Sequence, residues 1–415
     1  METLNPVKLS KQKELVGTWL QNQCRGTVVA PTGFGKSLIA ILIIRLMNER
    51  HPERTTLVVV PRIDLRNKWL LDIEQHDLVN VQVMVINTAV KQKRNCNLLV
   101  IDEVHHAASD TFRLVFDFQY NFILGLTATF DRQDKKHEYL SQHCPVIATV
   151  PLSHARKEQF ISDFRVFCLG LDLTPDQWEE YEAISDSMSF YFGFFGHDLN
   201  QLEACSQSRP ARINLAQALS TSEKQVKIYA YQAYRWIQSR KNFLYSLHQK
   251  VETVRDILDH LPLKTITFSE TIDFVKSLER TIPGSKAIHS KMSQPARKKV
   301  LEDFANDRFR IIHSATMLDE GIDVPELEMA IICSGSSSKR QSVQRIGRAL
   351  RFVEGKTAII INLFCRGTQE ELWVKNRLEG TPNVILVDTY KELLSQLNQL
   401  SMDYPSQIPN YSHKN

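Results

Sequence analysis

Short apolar runs alternate with amphipathic segments between residues 27 and 126. The runs are rich in Val, Leu and Ile, and they predict buried strands at 27–29, 56–60, 81–86, 98–101 and 122–126. The segments between them carry strong helix formers and predict helices, for example at 38–47 and 62–71. Strands that alternate with helices at this spacing predict a parallel, doubly wound α/β sheet.

The same alternation returns in the last third of the chain. It predicts further strands at 265–268, 286–289, 309–315, 329–333 and 357–364. Few strand-like runs fall in the middle, where Thr174 and Pro175 give a helix-start signal. The pattern therefore predicts two α/β domains and a helical insertion between them, with bounds 1–172, 173–255 and 256–380. Residues 381–415 are predicted to add a strand, a helix and a polar, mobile tail.

Composition excludes some classes of protein without choosing among the rest. The 415 residues are 43% hydrophobic and 24% charged with a net charge of +4, which is ordinary for a globular protein of several domains. The seven cysteines form no CxxC pair, which argues against zinc ribbons and iron–sulfur clusters and fits a reducing cytoplasm. No apolar run reaches the roughly 18 residues that a membrane span needs.

The stretch 30–37, Ala-Pro-Thr-Gly-Phe-Gly-Lys-Ser, joins the first apolar strand to the helix that follows it. Such a loop can direct backbone N–H groups at phosphate oxygens, with Lys36 on the β- and γ-phosphates of ATP and the Ser37 hydroxyl on Mg²⁺. Ala30 stands where the strict pattern has glycine, so an ordinary turn is the alternative. Gln12, upstream, has an amide that can pair with an adenine edge. The predicted nucleotide contacts in this part of the chain are Gln12, Thr32, Gly33, Gly35, Lys36 and Ser37.

Polar residues follow two further strands at the edge of the sheet where this loop lies. Asp102 and Glu103 follow the fourth strand, and Thr-Ala-Thr at 127–129 follows the fifth. Ligands of such sheets gather beyond the carboxyl ends of the strands. We expect Asp102 to hold Mg²⁺ through water, opposite Ser37, and Glu103 to accept a proton from the water that attacks the γ-phosphate. We interpret His105 as a relay to the second domain.

Three arginines recur at a spacing of three in the last third of the chain, at 345, 348 and 351. This spacing places them on one face of a helix. A guanidinium can bind γ-phosphate oxygens, so we interpret Arg348 and Arg351 as arginine fingers and Gln344 as a group that orients the attacking water or the γ-phosphate. A solvated basic helix face is the alternative. Because the second domain has no phosphate loop, the ATP site is predicted in the cleft between the domains.

The predicted helical insertion has an uneven charge. Residues 176–203 contain acids without Lys or Arg, whereas 204–255 are rich in Lys and Arg with interleaved aromatic residues. Cations next to aromatic rings are typical of surfaces that grip single strands, which makes Arg235, Arg240 and Lys241 candidate nucleic-acid contacts. The alternative is a helical hairpin whose core holds the aromatic rings and whose wet face holds the charges.

The stretch 189–195, Ser-Phe-Tyr-Phe-Gly-Phe-Phe, is the most aromatic in the chain. It is either a wedge that stacks at a duplex junction, with Phe194 and Phe195 as its rings, or the buried tip of the insertion. The sequence leaves both interpretations open.

These motifs resemble, in order, those of the superfamily 2 helicases of the DExH branch. The segments that resemble motifs I, Ia, II, III, IV, V and VI are 30–37, 58–62, 102–105, 127–129, 265–269, 315–325 and 344–351. The resemblance implies two RecA-like domains that use ATP and Mg²⁺. It also implies that Gly321 and Asp323 link the nucleotide state to the bound strand. Arg62, Thr88 and Thr316 are candidate contacts to the phosphate backbone.

Within the superfamily, residues 125–129 followed by Arg132 and Asp134 are similar to the XPB-like helicases and their phage relatives of the UvrW type. Those proteins carry Arg-Glu-Asp after motif III, whereas Gln133 is the middle residue here. Family members often carry an N-terminal DNA-recognition domain, which we do not expect because the motifs begin at Gln12.

The resemblance implies an ATP-dependent DNA helicase or translocase that acts on forked or branched DNA in repair, recombination or replication. The activity that the resemblance implies is strand separation or branch migration. We expect DNA as the partner, no membrane association, and a monomer in the cytoplasm of a prokaryotic or phage-infected cell, associated with the nucleoid. An RNA helicase of the same superfamily and the motor subunit of a restriction-type complex are the alternatives.

Overall fold

The computed structural model describes residues 6–31, 33–109, 111–128, 130, 137–158, 160, 163–315, 327–335, 357–378, 381 and 384–403. Several predicted site residues lie outside this part of the chain: Thr32, Thr316, Gly321, Asp323, Gln344, Arg348 and Arg351. The residues of the motif III region at 129 and 131–136, and the predicted tail from 404, also lie outside it.

The first sheet has six parallel strands in the order β3-β2-β4-β5-β1-β6. Its strands are β1 (Arg25–Val29), β2 (Thr56–Val60), β3 (Val81–Val85), β4 (Leu98–Asp102), β5 (Phe122–Thr127) and β6 (Val146–Thr149). The strands β2 and β4 are buried at all five positions, because a parallel sheet is covered on both faces. Continuous apolar runs in the sequence therefore become central strands.

Helices and short turns of 3-10 helix connect the strands of the first sheet. The helices are α1 (Pro6–Gln21), α2 (Lys36–Arg50), α3 (Ile63–Gln75), α4 (Ile86–Gln92), α5 (His137–His143) and α6 (Leu152–Lys157). The 3-10 segments are Val104–Ala108 and Phe112–Asp117. The alternation of strands and helices agrees with the predicted doubly wound domain.

The helical insertion comprises α7 (Pro175–Gly193), α8 (Leu199–Gln207), α9 (Arg209–Ala218) and α10 (Glu223–Tyr245). Its start is fixed by a capping box, in which the Thr174 side chain accepts from the Gln177 backbone and the Gln177 side chain accepts from the Thr174 backbone. The insertion has a core of its own, formed by Phe195, Leu202, Cys205, Ala216, Val226, Ala230 and Ala233.

The second sheet has seven parallel strands in the order β13-β7-β12-β11-β8-β10-β9. Its strands are β7 (Asp163–Leu171), β8 (Thr265–Ser269), β9 (Lys286–Ile288), β10 (Ile311–Ala315), β11 (Met329–Ile332), β12 (Thr357–Cys365) and β13 (Val384–Val387). The associated helices are α11 (His248–His260), α12 (Ile272–Thr281), α13 (Gln294–Ala305), α14 (Gln369–Leu378) and α15 (Tyr390–Asp403). The predicted fold class, two parallel α/β domains with a helical insertion, is confirmed.

The predicted domain boundary at residue 172 needs correction, as does the separate unit predicted from residue 381. β7 pairs with β12 from Asp163 opposite Thr357 to Leu171 opposite Cys365, and β13 pairs with the other side of β7. Both strands therefore belong to the second sheet. No strand was predicted at Asp163–Leu171, and the pattern of a single strand does not show which sheet it joins.

The end of the predicted insertion also packs differently from the prediction. α11 lies partly within the segment 173–255, but Val251 and Val254 belong to a core cluster with Phe274 and Ile331 of the second domain. Among the residues that the structure describes, no helix is both long enough and apolar enough to cross a bilayer.

Candidate functional site

The loop between β1 and α2 is held in a conformation that only glycine adopts easily. Gly33 has a φ of 85° and Gly35 a φ of 83°, both in the left-handed region. A Cβ atom at Gly35 would also lie 2.6 Å from the Gln12 amide nitrogen. Both glycines at the predicted phosphate loop are therefore required by its backbone, which weighs against an ordinary turn.

Lys36 is the first residue of α2 and is 9% exposed. Its Nζ donates to the Ala30 carbonyl at 3.1 Å, across the loop. Ser37 follows it in the first turn, where the helix N–H groups have no partners within the helix. Ala30 itself is fully buried, so its methyl group packs in the core at the place of the expected glycine. Lys36 and the N–H groups of the first turn are therefore donors of the kind that suits an anion.

Two side chains of α1 hold the loop from the other side. The Gln12 amide nitrogen donates to the Phe34 carbonyl at 2.8 Å, and Lys8 Nζ donates to the Gly33 carbonyl at 2.7 Å. Gln12 is only 2% exposed, and its Oε1 accepts no hydrogen bond from the residues that the structure describes. The amide predicted to contact adenine therefore contacts the loop, with one acceptor left over. Nothing in the sequence pattern indicated the role of Lys8.

Asp102 ends β4 and is 8% exposed. Its Oδ1 accepts from the Glu103 backbone N–H at 3.0 Å, and its Oδ2 accepts from the Trp69 indole Nε1 at 2.9 Å. Burial, together with the nearby Glu103 charge, raises the pKa of Asp102 to about 6, although the Trp69 hydrogen bond and the Lys36 ammonium both lower it. The Asp102 carboxylate therefore lies where a cation is favourable.

Glu103 has a φ of 51°, in the left-handed region that a residue with a Cβ rarely adopts. Strained backbone of this kind is concentrated at functional sites. The Glu103 carboxylate is 3.4 Å from the Thr127 hydroxyl at the end of β5, and that hydroxyl is 2.9 Å from His105 Nδ1. His105 is 1% exposed, so it lies in a buried chain of polar contacts that ends on Glu103.

These groups meet because β4, β5 and β1 are neighbours in the sheet. The loop, the Asp102–Glu103 pair and Thr127 leave the carboxyl ends of these three strands, where a parallel sheet binds its ligands. The donor set of Lys36, backbone N–H groups, a hydroxyl and a carboxylate fits a nucleotide with Mg²⁺. No group of three or more His, Cys, Asp or Glu side chains able to hold a metal occurs among the described residues, so this donor set does not form an all-protein cage.

Two of the candidate nucleic-acid contacts lie at the same edge of the first sheet. Arg62 follows β2 and is the residue immediately before α3, with its Nη2 3.3 Å from Asp64 Oδ2. Thr88 is exposed on α4, which follows β3. Because β2 and β3 are neighbours, Arg62 and Thr88 belong to one side of the first domain.

The three candidates on α10 do not share one surface. Arg235 is exposed beside Trp236, with its guanidinium carbon 5.7 Å from the centre of the ring. Arg240 instead donates to Gln369 at 3.5 Å, and burial lowers its pKa. Lys241 lies 6.0 Å from the ring of Trp373. The predicted track through all three is therefore corrected, since Arg240 and Lys241 face α14 of the second domain.

The aromatic stretch 189–195 is divided between core and surface. Phe195 is fully buried, and the Phe194 ring packs 4.9 Å from that of Tyr229. The two rings proposed for the wedge, those of Phe194 and Phe195, therefore pack in the core of the insertion. Phe190 is 65% exposed, which makes it the most exposed phenylalanine of this stretch.

Two family models match the chain, one in each domain. The model described as type III restriction enzyme, res subunit, matches residues 6–97 and 80–132. The model described as helicase conserved C-terminal domain matches residues 249–353. The phosphate loop and the acidic pair fall within the first, and the predicted arginine fingers fall within the second.

Whole-chain comparisons give the same assignment. The chain is 28% identical over 390 residues to DNA 3'-5' translocase XPB2 of Sulfurisphaera tokodaii, covering 89% of this chain and 84% of that one. It is 25% identical to a putative DNA 3'-5' helicase Rad25 of Haloarcula marismortui, covering 86% of this chain but only 52% of the relative. The fold is similar to the crystal structure of the Pyrococcus furiosus Hef helicase domain, with a TM-score of 0.57, 15% identity and coverage of 88% and 97%.

The matched regions extend through both α/β domains and contain both halves of the motif set. The chain therefore belongs to the superfamily 2 helicases and is similar to relatives of the XPB type.

Proposed function

We propose that the protein is an ATP-dependent DNA translocase and helicase that moves in the 3'-to-5' direction. The observation that carries the proposal is the meeting of Lys36, Asp102 and Glu103 at one sheet edge, with Arg62 and Thr88 on the same side of the domain. Nucleotide and nucleic acid would then contact the same set of loops. The choice of DNA, and of direction, follows the names of the XPB2 and Rad25 relatives.

The roles of the residues at the nucleotide site follow from their chemistry. Lys36 would bind the β- and γ-phosphates, and its bond to the Ala30 carbonyl would be exchanged for phosphate oxygens. Bound Mg²⁺ would neutralise phosphate charge, and Ser37 and Asp102 are the residues that would hold it. Glu103 would take the proton from the attacking water. The Thr127 hydroxyl and His105 hold the Glu103 carboxylate in place.

Movement requires the second domain to respond to the nucleotide. We assign Arg348 and Arg351 as fingers that bind the γ-phosphate from the second domain, Gln344 as the group that orients the water, and Gly321 and Asp323 as the link to the bound strand. ATP binding would close the cleft between the domains and hydrolysis would open it. Each cycle would shift the grip on one DNA strand.

The surface of α10 supplies a further DNA contact in this proposal. Tyr231 is 68% exposed and lies about one helical turn before Arg235. Tyr234 is 40% exposed and directly precedes Arg235. Exposed rings next to a guanidinium suit base stacking with phosphate binding. On forked or branched DNA, this face of α10 and the first domain would bind different arms of the DNA. Branch migration requires contact with more than one arm.

The test measures ATP hydrolysis with single-stranded DNA, forked DNA, a four-way junction or RNA. Wild-type protein should be stimulated by DNA, and more by DNA than by RNA. Lys36→Ala and Glu103→Gln should remain folded and lose the stimulated activity. Lys13→Ala, at an exposed position of α1, is the control and should behave as wild type. Full activity of Lys36→Ala would contradict the nucleotide site, and stimulation by RNA alone would contradict the DNA assignment.

The match to the res subunit family favours one second candidate, the motor subunit of a restriction-type complex. In that case the translocase would act on DNA only as part of a larger assembly. Co-purification from the native source followed by mass analysis would distinguish the two. A monomer with full DNA-stimulated activity would contradict the restriction-type role.

A further inference from the structure

Trp69 makes a contact that no motif assigns to it. It lies on α3, is 1% exposed, and donates from its indole Nε1 to Asp102 Oδ2 at 2.9 Å. The indole nitrogen is a donor only, so this bond has a single possible direction. A buried tryptophan of α3 thus donates a hydrogen bond directly to the carboxylate that is predicted to hold Mg²⁺.

The two oxygens of Asp102 are fixed by different elements. Oδ2 is held by Trp69, and Oδ1 is held by the Glu103 backbone N–H at 3.0 Å. Two bonds to the two oxygens determine the plane of the carboxylate. Each ionised oxygen has a second acceptor position, which is left to receive a water of the metal. Groups that orient a metal-binding carboxylate in this way tune the affinity of the metal site.

The helix that carries Trp69 begins at the proposed DNA contact. Arg62 immediately precedes α3, and Trp69 lies two turns farther along, about 10 Å at the rise of an α-helix. Between them Arg66 Nε donates to the Val83 carbonyl of β3 at 3.2 Å, which holds α3 against the sheet. α3 is therefore a continuous helix with the proposed backbone contact at its start and the Asp102 contact within it.

We propose that Trp69 is a positioning residue for ATP hydrolysis: it orients the Asp102 carboxylate toward Mg²⁺, and α3 passes the effect of DNA bound at Arg62 to that carboxylate. DNA bound at the start of α3 would move the helix and its Trp69 indole. This movement would change the orientation of the Asp102 carboxylate toward the water on Mg²⁺. The proposal rests on the proposed function for the DNA contact. The orientation of Asp102 by Trp69 is independent of it.

The test uses Trp69→Phe, which keeps an aromatic ring and removes the N–H donor. The matched control is Trp19→Phe, because Trp19 is 3% exposed and its Nε1 also donates at 2.9 Å, but to the Ile123 carbonyl. Both variants lose one buried hydrogen bond of equal length. An effect that follows from a lost core contact alone should therefore appear in both.

Two readouts separate positioning from stability. The first is the affinity for fluorescent ADP with and without Mg²⁺, and the second is the ATPase rate against Mg²⁺ with and without DNA. In Trp69→Phe the Mg²⁺ concentration for half-maximal activity should rise about tenfold, as for other groups that orient metal ligands. Its affinity for ADP without Mg²⁺ should stay unchanged, and its stimulation by DNA should fall several-fold. Trp19→Phe should keep the wild-type Mg²⁺ dependence and stimulation.

Equal behaviour of the two Trp variants in Mg²⁺ would overturn the positioning role. Arg66→Ala tests the second half of the proposal, since it loosens α3 without touching Asp102. It should lower stimulation by DNA and leave the Mg²⁺ dependence in the absence of DNA unchanged; unchanged stimulation would overturn transmission through α3. Wild-type protein that DNA does not stimulate would contradict the proposed function instead, and the Mg²⁺ comparison would still decide the role of Trp69.

Discussion

Lys250 on α11 and Glu370 on α14 form an ion pair with almost no access to solvent. Lys250 Nζ lies 2.6 and 2.7 Å from the two carboxylate oxygens, and the exposed fractions of the side chains are 0% and 3%. Glu370 also accepts from the Cys365 backbone N–H at 3.1 Å. The pair fastens α11, which follows the insertion, to the first turn of α14, which follows β12.

Removing one charge of this pair should be costly. Glu370→Gln leaves a buried ammonium without its counter-ion and should lower the free energy of unfolding by about 3–5 kcal/mol. Denaturant unfolding measures the change. Asp307→Asn is the control, because it removes a Lys264 partner that is 68% exposed and should change stability far less. Equal effects of the two substitutions would contradict the structural importance of the buried pair.

Gly35→Ala should weaken nucleotide binding. The left-handed backbone costs a residue with a Cβ about 1–2 kcal/mol, which corresponds to roughly tenfold in affinity, and the new methyl group would collide with Gln12. Titration with fluorescent ADP measures the loss. Gly17→Ala in α1 is the matched control, because a Cβ there meets nothing within 4 Å. It should keep nucleotide affinity and raise stability by about 0.5–1 kcal/mol.

The two halves of the aromatic stretch should respond differently to alanine. Phe195→Ala removes a fully buried ring and should destabilise the protein by about 3–5 kcal/mol. Phe190→Ala removes a ring that is 65% exposed and should change stability by less than about 0.5 kcal/mol. We expect Phe190→Ala to retain DNA-stimulated ATPase and to lose part of its unwinding of forked DNA. Unwinding equal to that of the wild type would contradict a contact between Phe190 and DNA.

Arg235→Ala and Arg240→Ala should differ in their dependence on salt. Arg235 is exposed, so its loss should reduce the slope of log affinity for DNA against log salt by about one. Arg240 is half-buried against Gln369, so its loss should lower thermal stability and leave the salt slope unchanged. Fluorescence anisotropy with labelled single-stranded DNA over several salt concentrations provides the slopes. A smaller slope for Arg240→Ala alone would reverse the two assignments.

The free energy of unfolding should decrease at acidic pH because of His313. This histidine is buried in β10 with Nδ1 2.8 Å from the Thr267 hydroxyl, and burial lowers its pKa from 6.5 to about 3. The unfolded chain therefore binds a proton that the folded protein does not, so stability is lost as pH falls from 6.5 toward 3. His313→Asn should flatten the pH dependence in this window, whereas His248→Asn, at a residue 78% exposed, should not. An unchanged slope in His313→Asn would assign the acid sensitivity to other groups.

Local pattern predicted the fold class, and it also indicated that the loop and the acidic pair lie at one edge of the first sheet, because strands, loop and acidic pair are each encoded within a few residues. Contacts between distant segments were not predictable in this way. The bond from Trp69 to Asp102 joins residues 33 apart, and that from Arg240 to Gln369 joins residues 129 apart. Whether Arg240 and Lys241 face solvent depends on α14, and no feature of the α10 sequence specifies that partner.

The position of β7 sets the order in which the protein can assemble during synthesis. The first sheet is complete once β6 has been made, whereas β7, which follows it, has neither neighbour until β12 and β13 appear. The ion pair of Asp172 and Arg366, 194 residues apart, cannot form before then either. A nascent chain therefore carries a strand with two unpaired edges from the time Leu171 is made until β12 is complete at Cys365, which exposes β7 to wrong pairing and aggregation during synthesis.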